Sequence, residues 1–312
     1  MLNPATTAFV FPGQGSQTVG MGRELAEASA AARATFEEAD EVLKFPLSAL
    51  CWEGPEETLT DTVNAQPALY VCGLAALRAF EERFPGFRPV CLAGHSLGEL
   101  TALTAASSME LEDGLALVRE RGRLMKSAGE HAPGGMAAIL GLDAPVLQEV
   151  CAEAEGQTRG MVQVANDNCP GQVVISGDND ALEKAMELAR ARGARRAVRL
   201  AVSIAAHSPL MQAAASEFSI AVDAVPFIAP IAPVIGNVAA QALADANAIR
   251  DELPRQLTSP VRWRESVGAM LALGATTFLE FGPKDVLTGL FKRIDPGAVG
   301  HAVGTPQALS NL

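Results

Sequence analysis

No apolar run in this 312-residue sequence approaches the roughly 18–20 residues that a membrane span needs. The stretch before the Pro12-Gly13 break has neither a basic leader nor a long apolar region, so a secretory signal is not expected. Cysteine is scarce. Cys51, Cys72, Cys91, Cys151 and Cys169 are widely spaced, odd in number and form no C-x-x-C. That pattern implies free thiols in a reducing cytoplasm and argues against a disulfide framework or a thiolate zinc site. No H-x-x-x-H spacing suggests a metal. Aromatic residues are only 5%, with a single tyrosine, and the formal net charge is −12. Nucleic acid is therefore an improbable partner, because phosphate binding needs basic surface and single strands need stacking platforms.

What is present alternates between strand-like and helix-like segments, which predicts an α/β protein with a mainly parallel sheet. Residues 8–11 and 89–93 read as buried strands, and helices are expected at 22–44, 67–83, 97–106 and 111–128. Between residues 132 and 203 the order becomes βαββαβ, the ferredoxin-like arrangement. A small subdomain over 132–203, inserted into a larger α/β body formed by 1–131 and 204–312, is the expected organisation. Helices near 247–257 and 262–273 and a strand at 277–281 complete the body.

Gly94-His95-Ser96-Leu97-Gly98 is a G-x-S-x-G sequence set between a predicted strand and a predicted helix. The small neighbours permit a sharp turn that lifts the serine hydroxyl clear of the backbone, and the following helix turns its N–H groups toward developing negative charge. Ser96 is thus the candidate nucleophile. It needs a base, and the chain has four histidines. His95 should diverge from its neighbour on a tight turn, His131 lies by a Gly/Pro-rich connection, and His301 lies near the end of the chain. His207 follows a strand-like segment and opens a helix-like one with Pro209 in its first turn, so it leads. No acid occurs between Glu187 and Glu217. Either a distant carboxylate or a neutral carbonyl must orient His207, and the second option departs from the ordinary hydrolase triad.

Several separated blocks resemble the malonyl-CoA:acyl carrier protein transacylases of bacterial fatty acid synthesis. They are Phe-Pro-Gly-Gln-Gly-Ser-Gln at 11–17, Gly-His-Ser-Leu-Gly-Glu at 94–99, Pro-Gly-Gln-Val-Val-Ile-Ser-Gly at 170–177, Val-Ser at 202–203 before His207, Ser-Pro-Val-Arg-Trp at 259–263 and Gly-Pro-Lys-Asp-Val-Leu-Thr-Gly-Leu at 282–290. The resemblance implies an α/β-hydrolase-like body with a ferredoxin-like insertion. It implies that Ser96 is acylated, that His207 acts as base and then acid, and that Gln256 orients His207 through its backbone carbonyl. It further implies an oxyanion hole made by the amides of Gln14 and Leu97, and an Arg121 that clamps the free carboxylate of malonate, a task suited to a planar bidentate fork. Leu100 stands where relatives often carry an aromatic residue.

The expected reaction is a ping-pong transfer of malonyl from malonyl-CoA to the phosphopantetheine thiol of acyl carrier protein. No cofactor of the enzyme's own is expected. Carrier proteins are acidic, so an acidic enzyme needs a local basic dock. Arg190, Arg192, Arg195, Arg196 and Arg199 crowd one stretch with no acid among them, and Lys292 and Arg293 form a smaller cluster. The alternatives are the malonyl transferase component of a malonate decarboxylase, a free-standing polyketide acyltransferase, or, in a different class, a serine thioesterase or esterase.

Overall fold

The computed structural model describes residues 2–312. Its strands are β1 (Thr7–Phe11), β2 (Cys91–Gly94), β3 (Gly134–Leu140), β4 (Val162–Cys169), β5 (Gln172–Asp178), β6 (Arg196–Arg199), β7 (Val234–Ile235), β8 (Thr277–Glu280) and β9 (Val299–Ala302). They form two sheets. One is five-stranded and parallel, in the order β7-β2-β1-β8-β9. The other is four-stranded and antiparallel, in the order β4-β5-β3-β6.

β1 shows why the first sheet is buried on both faces. All five of its residues are buried. Phe9 and Phe11 pack into the helical core on one face, while Ala8 and Val10 enter a second core with Trp263 and Phe278 on the other. An unbroken apolar strand with helices on both sides follows from that double burial. The antiparallel sheet has a separate core, in which Ile139, Val173 and Ile175 meet Leu147, Val150 and Leu182 from the helices Ala144–Thr158 and Asn179–Ala191. Those helices interleave with the strands in the order βαββαβ.

Several elements differ from the sequence expectation. The helix expected at 22–44 is two helices, Arg23–Ala28 and Ala30–Leu43. Ser29 breaks it: the residue is extended and its side chain caps the second helix by accepting from the Ala32 amide. The helix expected from 67 begins at Thr62, capped by Asp61, and carries Pro67 in its interior. The two-residue β7 and the half-exposed β9 have too little apolar pattern to be read in advance. Among the described residues, no helix is long and apolar enough to cross a membrane. The five cysteines are free and buried.

Candidate active site

The turn that carries Ser96 is dictated by steric closeness. A Cβ on Gly94 would lie 1.8 Å from the carbonyl of Gly98, and one on Gly98 would lie 2.1 Å from the Phe11 oxygen. Only glycine fits at either position. Between them Ser96 takes a left-handed backbone, φ 52°, and the helix Gly98–Ala105 starts at once. The loop after β1 closes over the turn, with Gly13 so near His95 that a Cβ there would lie 2.5 Å from its oxygen. This approach brings Gln14 into the cavity that Ser96 lines.

His207 faces Ser96 from across the cleft. Its Nε2 is 2.8 Å from Ser96 Oγ, and its Nδ1 is 2.8 Å from the backbone oxygen of Gln256. A carbonyl can only accept, so the proton sits on Nδ1 and Nε2 is left to receive the serine proton. Of the two ways of orienting the ring that the sequence left open, the structure has the neutral carbonyl. Burial, then the Arg121 guanidinium, push His207 down to about 3, so the imidazole is neutral at physiological pH. Because its native pKa lies below the unfolded value near 6.5, the folded chain binds fewer protons, and stability falls as pH drops from there toward 3. Between about pH 7 and pH 5 the native chain should lose about 2 kcal/mol more than His207→Gln in urea unfolding. The buried carboxyls of Glu99 and Glu252 are shifted upward and act with the opposite sign, but in both proteins alike. Equal losses in the two proteins would contradict this assignment.

The other histidines stand apart from the hydroxyl. His95 turns to Asn168, with Nε2 2.8 Å from its Oδ1, and packs on Trp263. His131 is bound at the surface to the Ser127 oxygen, and His301 lies exposed in β9.

Arg121 lies in the helix Leu111–His131, on the face that also buries Leu117, Val118, Leu124 and Met125. This i, i+3, i+4 pattern carries it inward. Its neighbours Arg119 and Arg123 turn to the Leu43 oxygen and to surface carboxylates. Arg121 is 1% exposed. Its Nη1 donates to Gln66 Oε1 at 2.9 Å, and Nη2 to Gln256 Oε1 at 2.8 Å and Ser96 Oγ at 3.1 Å. Burial lowers its pKa to about 10, which still leaves it charged. Behind it the fully buried Glu99 accepts from Gln256 Nε2 at 3.0 Å and from the Asn237 amide at 2.8 Å. Burial, then Glu252, raise the Glu99 pKa.

Ser96, His207 and Arg121 open into a cavity of about 340 Å³ with walls from Met125, Met136, Val202 and Ile204. Gln14 and Leu97 line it too, and among the described residues their backbone amides donate to no protein acceptor. A neighbouring cavity of about 220 Å³ shares Gln14, Thr62 and Val202 and adds Lys126. The predicted residues Ser96, His207, Gln256, Gln14, Leu97 and Arg121 are therefore brought together. Gln66, Glu99 and Asn237 join them without having been singled out. Glu99 lay within the quoted 94–99 block, whereas Gln66 and Asn237 carry no local signal.

The arginine stretch is not one surface. Arg190 donates to the Ala197 oxygen, Arg192 pairs with Glu149 and Glu153, and Arg199 pairs with Glu183. Arg195 and Arg196 have no carboxylate partner among the described residues, and they line a groove with Arg293. That groove lies at the Leu140 end of β3, while the cavity takes Met136 and Leu200 from the other end.

Residues 8–295 match the family described as acyl transferase domain. The malonyl CoA-acyl carrier protein transacylase of Bacillus subtilis (strain 168) is 46% identical over 302 residues, which are 97% of this chain and 94% of that protein. The crystal structure of malonyl-CoA:acyl carrier protein transacylase from Xanthomonas oryzae pv. oryzae superposes with a TM-score of 0.94 at 45% identity, covering 99% of this chain and 98% of that one. A malonyl-transacylase solved in complex with a type II PKS acyl-carrier protein gives 0.95 at 41% identity, covering 98% of both chains.

Proposed function

We infer the function from one premise: this chain belongs to the acyl transferase family. It is a malonyl-CoA:acyl carrier protein S-malonyltransferase, and it moves malonyl from coenzyme A to a carrier thiol in support of fatty acid synthesis. The observation that carries this reading is a buried arginine on the nucleophile, with Arg121 Nη2 at 3.1 Å from Ser96 Oγ. A serine hydrolase has no use for a buried cation there, whereas an acyl group ending in a carboxylate does.

In the proposed mechanism Ser96 Oγ attacks the malonyl thioester carbonyl as its proton passes to His207 Nε2. The oxyanion rests on the amides of Gln14 and Leu97. The Gln256 carbonyl holds the imidazolium through Nδ1–H. Coenzyme A leaves as a thiol, taking the proton from His207. The carrier's phosphopantetheine thiol then gives its proton to His207 and attacks the ester, and the departing Ser96 oxygen takes that proton back from Nε2. The carboxylate lies against Arg121 and offsets the charge that helps depress His207, so the right cargo strengthens the base. Side chains and amides serve each bond made or broken, so the reading includes no cofactor.

The finer architecture belongs to the same proposal: an α/β-hydrolase-like body of 1–131 and 204–312 with a ferredoxin-like insertion at 132–203. The β4-β5-β3-β6 order and the separate core of that sheet support it. A cytoplasmic location accords with five buried free thiols. The PKS carrier complex of a 41% identical relative favours a second reading, in which the carrier serves polyketide synthesis. Intact-mass measurement after incubation with malonyl-CoA tests the reading. A single malonyl adduct that carrier protein discharges is expected, and rapid release as free malonate would favour a thioesterase.

Within the basic stretch of Arg190, Arg192, Arg195, Arg196 and Arg199, carrier docking is proposed at the part that forms one groove, Arg195 and Arg196 beside Arg293. Arg195 and Arg196 should contribute most, because their charges are not already paired. Reversing both to glutamate is expected to raise the KM for carrier protein about tenfold at low salt and less at high salt. An unchanged KM would remove the docking face from the proposal.

A further inference from the structure

The strained turn at Ser96 needs something to hold it. Its own glycines permit the conformation but do not enforce it. The enforcing contacts come from a residue 141 positions away in sequence. Ser96 N–H donates to Asn237 Oδ1 at 2.7 Å, and Asn237 Nδ2 donates to the Gly94 oxygen at 2.8 Å. One carboxamide thus clasps both backbone groups that flank His95. β7 exists to deliver it: the pairing of Ala93 with Ile235 places residue 237 level with the turn. Asn237 is itself fully buried and fixed, with its amide on Glu99 Oε2 at 2.8 Å and its oxygen accepting from Arg262 N at 3.0 Å. The same Glu99 oxygen accepts from Gln256 Nε2, whose backbone carbonyl orients His207 and whose Oε1 holds Arg121.

We propose that Asn237, seated on the buried Glu99 carboxylate, is a positioning residue for acyl transfer that locks the nucleophile turn and registers it against His207 and Arg121. This rests on the reading of Ser96 as nucleophile. By engaging the Ser96 amide, Asn237 leaves the next amide, that of Leu97, as the one free to face the cavity. Only a group that accepts and donates in one plane meets both demands. An aspartate keeps the acceptor for Ser96 N–H but, when ionised, turns a lone pair on the Gly94 oxygen.

That difference supplies the test. An aspartate at 237 would sit buried beside Glu99 and beside Glu252, which accepts from the Val238 amide; Arg262 reaches the Val238 oxygen, and Arg121 and His207 converge on Ser96. Burial favours its protonated form, as it does for the neighbouring Glu99 and Glu252 carboxyls, and in that form O–H donates to Gly94 while C=O still accepts from Ser96. Malonyl transfer by full-length Asn237→Asp, Asn237→Ala and Ser96→Ala is measured from about pH 8 to pH 5.5, with folding followed by circular dichroism. At the alkaline end Asn237→Asp is expected to lose about 100-fold in kcat, with KM for malonyl-CoA within about threefold of the native value. The deficit should shrink about tenfold or more in acid, whereas Asn237→Ala keeps its deficit throughout. An aspartate variant as active as the native chain in alkali, or a folded one whose deficit is flat with pH, overturns the proposal. If it unfolds in alkali, the acid end decides: folded and active supports the idea, while folded and inactive, or unfolded there too, overturns it. A Ser96→Ala protein that still transfers malonyl would instead reject the nucleophile itself, whatever Asn237 does.

Discussion

Ser96→Ala is expected to lose at least about 10⁴-fold in malonyl transfer and to form no acyl adduct with malonyl-CoA. Among the described residues, the removed oxygen is the only group in the cavity placed both to give its proton to His207 and to lie over an arginine, at 2.8 and 3.1 Å. Alanine keeps the Cβ and meets the same left-handed backbone, φ 52°, so the turn and its Asn237 clasp should persist. The melting temperature should therefore move by only a few degrees, roughly what the loss of one or two hydrogen bonds gives. Malonyl-CoA should still bind, because Arg121 and the cavity walls are untouched. The decisive comparison is by intact mass: native protein gains one malonyl group and passes it to carrier, and the variant gains none. A stable adduct on Ser96→Ala would falsify the assignment and send the search to another nucleophile.

How much of this was legible in the sequence depends on what carries each feature. The turn was legible because sterics write it into adjacent residues: Gly94 and Gly98 sit where a Cβ would strike backbone. His207 was legible because four histidines made elimination short. Its orienting partner was only half legible, since a backbone carbonyl has no residue signature and Gln256 was singled out by resemblance alone. Arg121 was likewise singled out by resemblance, and the structure adds that it shares the apolar face of its helix. Asn237 and Gln66 reach the site from distant segments, and no local pattern marks them. The arginine stretch misleads in the other direction. Closeness in sequence suggested one basic face, but strand geometry and the carboxylates Glu149, Glu153 and Glu183 divide it. Pairing across chain-distant elements is the information that a linear reading lacks.

Arg121→Ala should change which acyl group is carried, as well as how fast. A malonyl carboxylate held by a buried guanidinium gains a charge-assisted pair, and truncating one side of such a pair costs about 2–5 kcal/mol, or roughly 30- to 5,000-fold in kcat/KM for malonyl-CoA. An acetyl group makes no such contact, so it loses only what Arg121 contributes to Ser96 itself. Acetyl also meets a site that becomes more favourable in two ways. The cavity loses an unpaired buried cation, and His207 loses the charge that, after burial, depresses it most. Acetyl acylation is therefore expected to hold steady or rise while malonyl acylation falls. Arg121→Lys keeps the charge but not the fork, and Lys cannot reach Gln66, Gln256 and the substrate together, so it should lie between the two. Equimolar malonyl-CoA and acetyl-CoA, competed on each protein and read as adduct masses on Ser96, give the ratio directly. Since truncation strands Gln66 Oε1 and Gln256 Oε1 in the interior, the variant should also melt lower. A ratio within one protein does not depend on the folded fraction, so this loss cannot imitate a change of selectivity. If the alanine variant still prefers malonyl by the native margin, the buried guanidinium is there for the fold and the carboxylate is read by something else, with Lys126, which lines the adjoining cavity, the next cation to substitute.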